Sequence, residues 1–199
     1  MSVMNLAIGL NYTQRYLSEV ADVLAGIEPE PIEQMAKLLI NVRRASGRVF
    51  FLGNGGSAAN ASHAVNDFRK LCGFEAYAST DNVAELTARI NDNGWDTAVT
   101  EWLKVSRLCG LDCVFVLSVG GGNIGERISV NIVNALQYAK ETGATIVGIV
   151  GRDGGCAGTI GDACVIIPTV NPATTAGHTE SFQAVIWHLL TSHPLLKRP

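Results

Sequence analysis

Two pairs of titratable residues stand at helical spacings. His63 and Asp67 are four residues apart, and Glu180 and His188 are eight apart; on helices, each pair shares one face. Two imidazoles and two carboxylates form a ligand set suited to zinc or a similar divalent ion. The same groups could act as general base and acid, or be no more than polar surface residues. Glu180 is expected to open the last helix, where the helix dipole favours a carboxylate. His178 and His193 are expected in a loop and in the terminal segment.

Two glycine-rich loops offer a second kind of chemistry. Gly53-Asn54-Gly55-Gly56-Ser57 and Ser118-Val119-Gly120-Gly121-Gly122-Asn123 each follow a short apolar run. Glycines let backbone N–H groups approach an anion, and a helix starting just beyond adds its positive end. Ser57, Ser118 and Asn123 add polar side chains. Neither loop has the dinucleotide or Walker spacing, so no nucleotide cofactor is expected. One such loop could be a plain tight turn; two at successive strand ends favour a phosphate site. The second is poor in hydroxyls, with Val119 and three glycines where serines or threonines would suit an anion. Asp92 lies in Asn91-Asp92-Asn93-Gly94, a turn signal in which it caps the turn.

These residues need elements to hold them. Residues 5–25 and 30–46 show helical periodicity, the second with an apolar stripe of Ile32, Met35, Ala36, Leu39 and Ile40 that ends in basic residues. Continuous apolar runs at 49–52, 113–117, 145–150 and 163–168 read as strands buried on both faces, with 76–79 as a further strand. Helical sequence follows at 58–70 and 83–91, again from Ile128 through Ala139, and at 180–192. Strand, glycine loop and helix in alternation specify an α/β fold with a parallel sheet and crossover helices. Ligands in such sheets bind beyond the carboxyl ends of the strands, where both glycine loops fall.

Composition narrows the classes. The 199 residues carry a net charge of −3, with 17% charged and 47% hydrophobic residues. That excludes a disordered chain, and it argues against nucleic acid as the ligand, since no basic excess faces phosphates. One domain is expected. The low charge with a mean hydropathy of +0.21 hints at surface covered in an oligomer. The five cysteines are odd in number and form no CxxC pair, so neither a disulfide framework nor a zinc ribbon is expected. Cys109 and Cys113 read as buried structural thiols. No apolar run reaches the roughly 20 residues of a membrane span, and the first 20 residues lack the pattern of a secretory leader. A cytoplasmic location is expected.

Taken together, these residues resemble a known family. Gly53–Ser57, His63 with a carboxylate four residues on, the Asn91–Gly94 turn, the Ser118 loop, the run Gly151-Arg152-Asp153-Gly154-Gly155 and a late helix with His188 look like the sugar isomerase (SIS) domain. Within it, the match is to the phosphoheptose isomerase group, over nearly the whole chain. The resemblance implies a single SIS domain: a three-layer α/β/α sandwich around a five-stranded parallel sheet. It also implies a homotetramer with active sites built from neighbouring subunits, the helices of residues 5–46 packing in that assembly. The implied reaction is the aldose–ketose isomerisation of sedoheptulose 7-phosphate to a D-glycero-heptopyranose 7-phosphate through a cis-enediol(ate), on the way to activated heptoses.

By position, Asn54, Gly55, Gly56 and Ser57 would touch the substrate. Ser118 and the backbone from Val119 and Gly120 to Asn123 would hold its phosphate, and Asp92 would contact sugar hydroxyls. Asp67 replaces a family glutamate, Glu180 replaces a family glutamine, and His188 matches a family histidine; all three would be catalytic. Some members hold zinc at the positions of His63, Asp67, Glu180 and His188. On sequence, Asp67 is the first choice and Glu180 the second for moving a carbon-bound proton, and His188 is the choice for opening the sugar ring. The hydroxyl-poor second loop keeps an alternative open: a non-catalytic SIS protein that binds a sugar phosphate or a protein partner.

Overall fold

The computed structural model describes Gly9 and residues 11–198. The first helix, α1 (Tyr12–Ala25), starts where Asn11 and Gln14 form a reciprocal capping box. The part of the expected helix at residues 5–8 and 10 lies outside the described residues. Helix α2 (Pro29–Arg44) takes proline in its first turn and buries the expected stripe from Ile32 to Val42. Arg43 in its last turn donates to the carbonyls of Cys72 and Leu196 at 2.7 and 2.6 Å, fastening it to the rest of the fold.

The apolar runs form five strands: β1 (Val49–Leu52), β2 (Ala76–Ala78), β3 (Cys113–Ser118), β4 (Thr145–Val150) and β5 (Ala163–Ile166). All neighbouring pairs are parallel, in the order β2-β1-β3-β4-β5. Residues of β1 and β3 alternate between two separate cores, which explains their unbroken hydrophobicity. On one face Phe51 and Phe115 stack at 4.8 Å and pack with Phe68 and Trp187 beneath α2, α3 (Gly56–Cys72) and α8 (Thr175–Ser192). On the other, Phe50, Leu52, Val114 and Val116 pack beneath α5 (Trp95–Val105), α6 (Val130–Thr142) and α7 (Gly155–Ile160). The result is the expected three-layer α/β/α sandwich. No helix among the described residues is long and apolar enough to cross a membrane.

An ion pair between partly exposed Arg48 and buried Asp112 clamps the amino ends of the central strands. Arg48 donates to Asp112 from Nη2 at 2.7 Å and Nε at 3.1 Å, and from its backbone N–H at 2.9 Å; the Cys109 N–H adds a fourth bond at 3.0 Å. The guanidinium also lies 4.9 Å from the centre of the Phe50 ring.

Several boundaries differ from the sequence reading. The last helix begins at Thr175, not Glu180, because Gly177 and the threonines around it interrupt the apolar period without breaking the helix. Glu180 therefore sits in the second turn. His178 lies in the first turn, buried, not in a loop: its Nε2 meets Glu19 at 2.9 Å and its ring lies 4.6 Å from that of Tyr16. That histidine, with Asn171 and Thr174, holds the Glu19 carboxyl below its usual range. Residues 91–93 complete α4 (Val83–Asn93), and Gly94, at φ 82°, ends it, so the expected turn is a helix terminus. Residues 123–128 are not helical; Asn123 and Ile128 pair in an antiparallel bridge. β5 stops at Ile166, two residues early. Helices α5 and α7 were not expected. Of the cysteine pair, Cys113 is buried as expected, but Cys109 is exposed.

Candidate active site

The strand order reverses direction between β1 and β3, and open α/β sheets bind ligands at such a switch point. The two glycine loops leave the carboxyl ends of these two strands. In the first, Gly55 takes φ 58° and ψ −126°, a conformation that needs glycine, and turns the chain into α3. In the second, Gly121 and Asn123 spend their N–H groups internally, on Ser118 Oγ at 3.1 Å and the Ile128 carbonyl at 2.8 Å. The expected phosphate cradle from the backbone of 119–123 is thus partly closed to a ligand.

Between the loops lies a cavity of about 230 Å³, lined by Asn54, Ser57, Ser118, Val119, Gly120, Ile128, Ser129 and Arg152. Five of the expected substrate residues meet here. Asn54 is fixed by a reciprocal amide pair with Asn131, at 3.1 and 2.9 Å. Ser57 is buried and accepts from Gln183 at 3.1 Å. The other expected substrate residues do not line this cavity. Asn123 lines an adjacent one, its Oδ1 bonded to the Glu126 N–H. Gly55 and Gly56 shape the loop instead. Asp92 lies on the exposed last turn of α4, where it accepts from Asn91 at 2.8 Å.

Farther along α3, a second centre forms against α8. Bonds between the two helices set their register: Asn60 donates to the Glu180 carbonyl at 2.9 Å and to Gln183 at 2.8 Å, and the Trp187 indole donates to Asp67 Oδ2 at 3.3 Å. The same Asp67 oxygen lies 3.5 Å from His63 Nε2 and 3.3 Å from His188 Nε2. The three ligand atoms fall within 4.8 Å of one another. Asp67 is buried and both histidines face outward. His188 Nδ1 lies 2.8 Å from the Ala184 carbonyl. A carbonyl only accepts, so Nδ1 carries hydrogen and Nε2 presents its lone pair when the ring is neutral. A lone pair aimed at a carboxylate calls for a cation between them, whether a proton or a metal ion. Separations near 3.4 Å are those expected between ligands of a tetrahedral ion bonded at roughly 2.0–2.1 Å. The chemistry of the donor set, two imidazoles and a carboxylate, therefore fits a divalent ion.

Glu180 does not join this cluster. Its carboxylate lies over Gly56, where an added Cβ would sit 2.5 Å from Oε2. It makes no hydrogen bond among the described residues. Two turns of helix, about 12 Å, separate the backbones of Glu180 and His188, and the Glu180 side chain turns towards the loop rather than down the helix.

Sequence reasoning passed over Trp187, Gln183, Asn60, Asn131, Ser129 and Arg152. The first two were detectable: 180, 183 and 187 follow the i, i+3, i+7 stripe of one helix face. Asn60 likewise lies three residues from both Ser57 and His63.

A family model described as "SIS domain" matches residues 15–151. The chain belongs to the SIS-domain family. Within it the chain falls in the phosphoheptose isomerase group, which are intramolecular oxidoreductases. It is 34% identical to the phosphoheptose isomerase of Sulfurimonas denitrificans over 69% of this chain and 70% of that protein. It is 29% identical to the lincomycin biosynthesis protein LmbN of Streptomyces lincolnensis, over 91% of this chain and 68% of that one. Among solved structures, the phosphoheptose isomerase GmhA of Neisseria gonorrhoeae superposes with a TM-score of 0.77 at 25% identity, covering 90% of this chain and 96% of that chain.

Proposed function

We propose that this protein is an aldose–ketose isomerase that converts sedoheptulose 7-phosphate to a D-glycero-heptopyranose 7-phosphate. The observation that carries the reading is the convergence of His63, Asp67 and His188 on a helix face that leads into a polar cavity at the switch point. The phosphoheptose isomerases among its relatives support it.

The phosphate sits in the cavity with the Ser57, Ser118 and Ser129 hydroxyls, and the sugar runs along α3 towards the cluster. His188 Nε2 takes the anomeric hydroxyl proton and hands it to the ring oxygen as the ring carbon–oxygen bond breaks. Asp67, 3.3 Å away, stabilises the imidazolium that results. The two carboxylates keep the order expected on sequence. Asp67 lies 3.3 Å from His188 and so reaches the same end of the sugar, whereas the Glu180 carboxylate turns towards Gly56. Asp67 takes a proton from C1 of the open ketose and returns it to C2. The hydroxyl proton on O1 moves to O2, so the product is an isomer with nothing gained or lost. A zinc or similar ion held by His63, Asp67 and His188 would supply polarisation of the substrate oxygens. Proton and ion compete for His188 Nε2, so the rate after chelation decides which use of the cluster turnover requires.

The oligomer belongs to the same proposal. Val185 and Leu189, on the α8 turns beside His188, are exposed, as are Leu17 and Leu24 on α1. A homotetramer of this single domain, with α1 and α2 packed in the assembly, would cover these residues and wall the site from a neighbouring subunit.

The test is incubation of metal-loaded and of chelated protein, side by side, with sedoheptulose 7-phosphate, followed by NMR. New anomeric signals of an aldose are expected, and none after prolonged incubation would end the reading.

A further inference from the structure

The second glycine loop poses a charge problem. Its lining of the cavity contributes a single hydroxyl, that of Ser118, and neither Val119 nor Gly120 adds another. The nearby first turn of α7 cannot help. The Cys156 and Ala157 N–H groups donate to the Gly122 and Gly121 carbonyls at 2.8 and 3.0 Å, and the Gly155 N–H goes to Asp153. A phosphate dianion there would meet dipoles but little positive charge, on a protein whose net charge is −3.

One residue answers it. Arg152 is the only basic residue lining the cavity, and its guanidinium makes no hydrogen bond or ion pair among the described residues. Its stem lies along the loop: a Cβ built on Gly120 would be 3.7 Å from Arg152 Cδ. Its backbone is pinned on both sides. The Gly151 N–H lies 3.3 and 3.2 Å from the Ser118 and Val119 carbonyls, and the Gly154 N–H donates to the Gly151 carbonyl at 3.0 Å. Between them Arg152 is held at φ 54°, a left-handed conformation unusual for a side-chain-bearing residue. Strain of this kind persists where the surroundings enforce it, typically at ligand sites. Gly121 and Gly154 are in backbone contact, since a Cβ on Gly121 would fall 1.8 Å from the Gly154 carbonyl oxygen. The turn bearing Arg152 is therefore locked to the loop it faces.

The geometry points to Arg152 as the cationic ligand of the substrate phosphate, replacing with charge what the glycine loop lacks in hydroxyls. The inference rests on the sugar-phosphate reading for its natural ligand but not for its test. A guanidinium offers two parallel N–H donors to phosphate oxygens, which an ammonium cannot match.

Inorganic phosphate is the probe, titrated calorimetrically into the intact protein and into Arg152→Gln and Arg152→Lys. Both variants keep a long side chain on an exposed residue, and melting curves confirm the fold. Phosphate affinity is expected to fall about tenfold or more in Arg152→Gln and by less in Arg152→Lys. With sedoheptulose 7-phosphate, KM should rise in parallel while kcat changes little. Equal phosphate affinity in parent and Arg152→Gln overturns the inference and leaves the isomerase reading standing. Arg152-dependent phosphate binding without turnover of the sugar phosphate supports the inference and ends the isomerase reading.

Discussion

Asp67→Asn is expected to lower turnover of sedoheptulose 7-phosphate by about three orders of magnitude while leaving the protein folded. The asparagine fits the same volume, and its carbonyl oxygen can still accept the Trp187 indole N–H. What it loses is the negative charge that faces two imidazole nitrogens at 3.3 and 3.5 Å. Without it the imidazolium formed at His188 has no counter-charge, and a divalent ion loses its anionic ligand. His188→Ala should be as damaging to turnover. Initial rates followed by NMR, with melting temperature and size-exclusion profile as controls, test both. Full activity in the two variants would remove the cluster from the reaction.

The largest effect on stability is expected from Asp112→Asn. Burial alone would push the Asp112 carboxyl up; the Arg48 guanidinium and the Arg48 and Cys109 N–H groups outweigh it and hold the carboxyl below its usual range. Asparagine presents an amide N–H to donors on one side and leaves Arg48 without its counter-charge. Breaking a fully buried pair costs about 3 kcal/mol or more; with Arg48 a quarter exposed to water, the cost here is up to about 3 kcal/mol. The pH dependence has a definite sign. A carboxyl with a depressed folded pKa contributes stability that is fully present above its unfolded value, about 4, and is lost as pH falls through the folded value. Urea midpoints measured from neutral pH downward should therefore fall for the parent below about pH 4, and fall less for Asp112→Asn, which starts lower. Parallel curves would show that the clamp does not titrate.

Where the residues' own periodicity matched a single element, the sequence was legible. Runs such as Cys113–Ser118 are apolar on both faces because two cores need them, and a strand is then the simplest reading. His63 and Asp67 meet as their i, i+4 spacing requires once 58–70 is helical. The errors arose where tertiary context overrode local pattern. Thr175 to Thr179 look like loop residues, but they form helix, with Thr175, Thr179 and His178 buried and His178 held by Glu19 and Tyr16, which moves Glu180 away from the helix end. The expectation that Glu180 joins the cluster treated a shared face as contact, whereas rotamer choice sends its carboxylate towards Gly56. Helix α5 escaped notice because only Ala98, Val99 and Leu103 are buried, too few for a clear stripe. Arg152 was visible only as part of a glycine-rich run. Its position over Gly120 depends on a loop-to-loop lock made of backbone atoms, which side-chain patterns do not encode.

The Arg48–Asp112 clamp has a bearing on how this molecule could be altered. It grips the sheet at the rim where β1 and β3 begin, and the candidate phosphate cavity occupies the rim where they end. Roughly 17 Å of strand separates the two along β3. Robustness and chemistry are thus lodged in different parts of the architecture, a division of labour that leaves either free to drift under selection, or to be engineered for heat tolerance or a new sugar, with little trespass on the other.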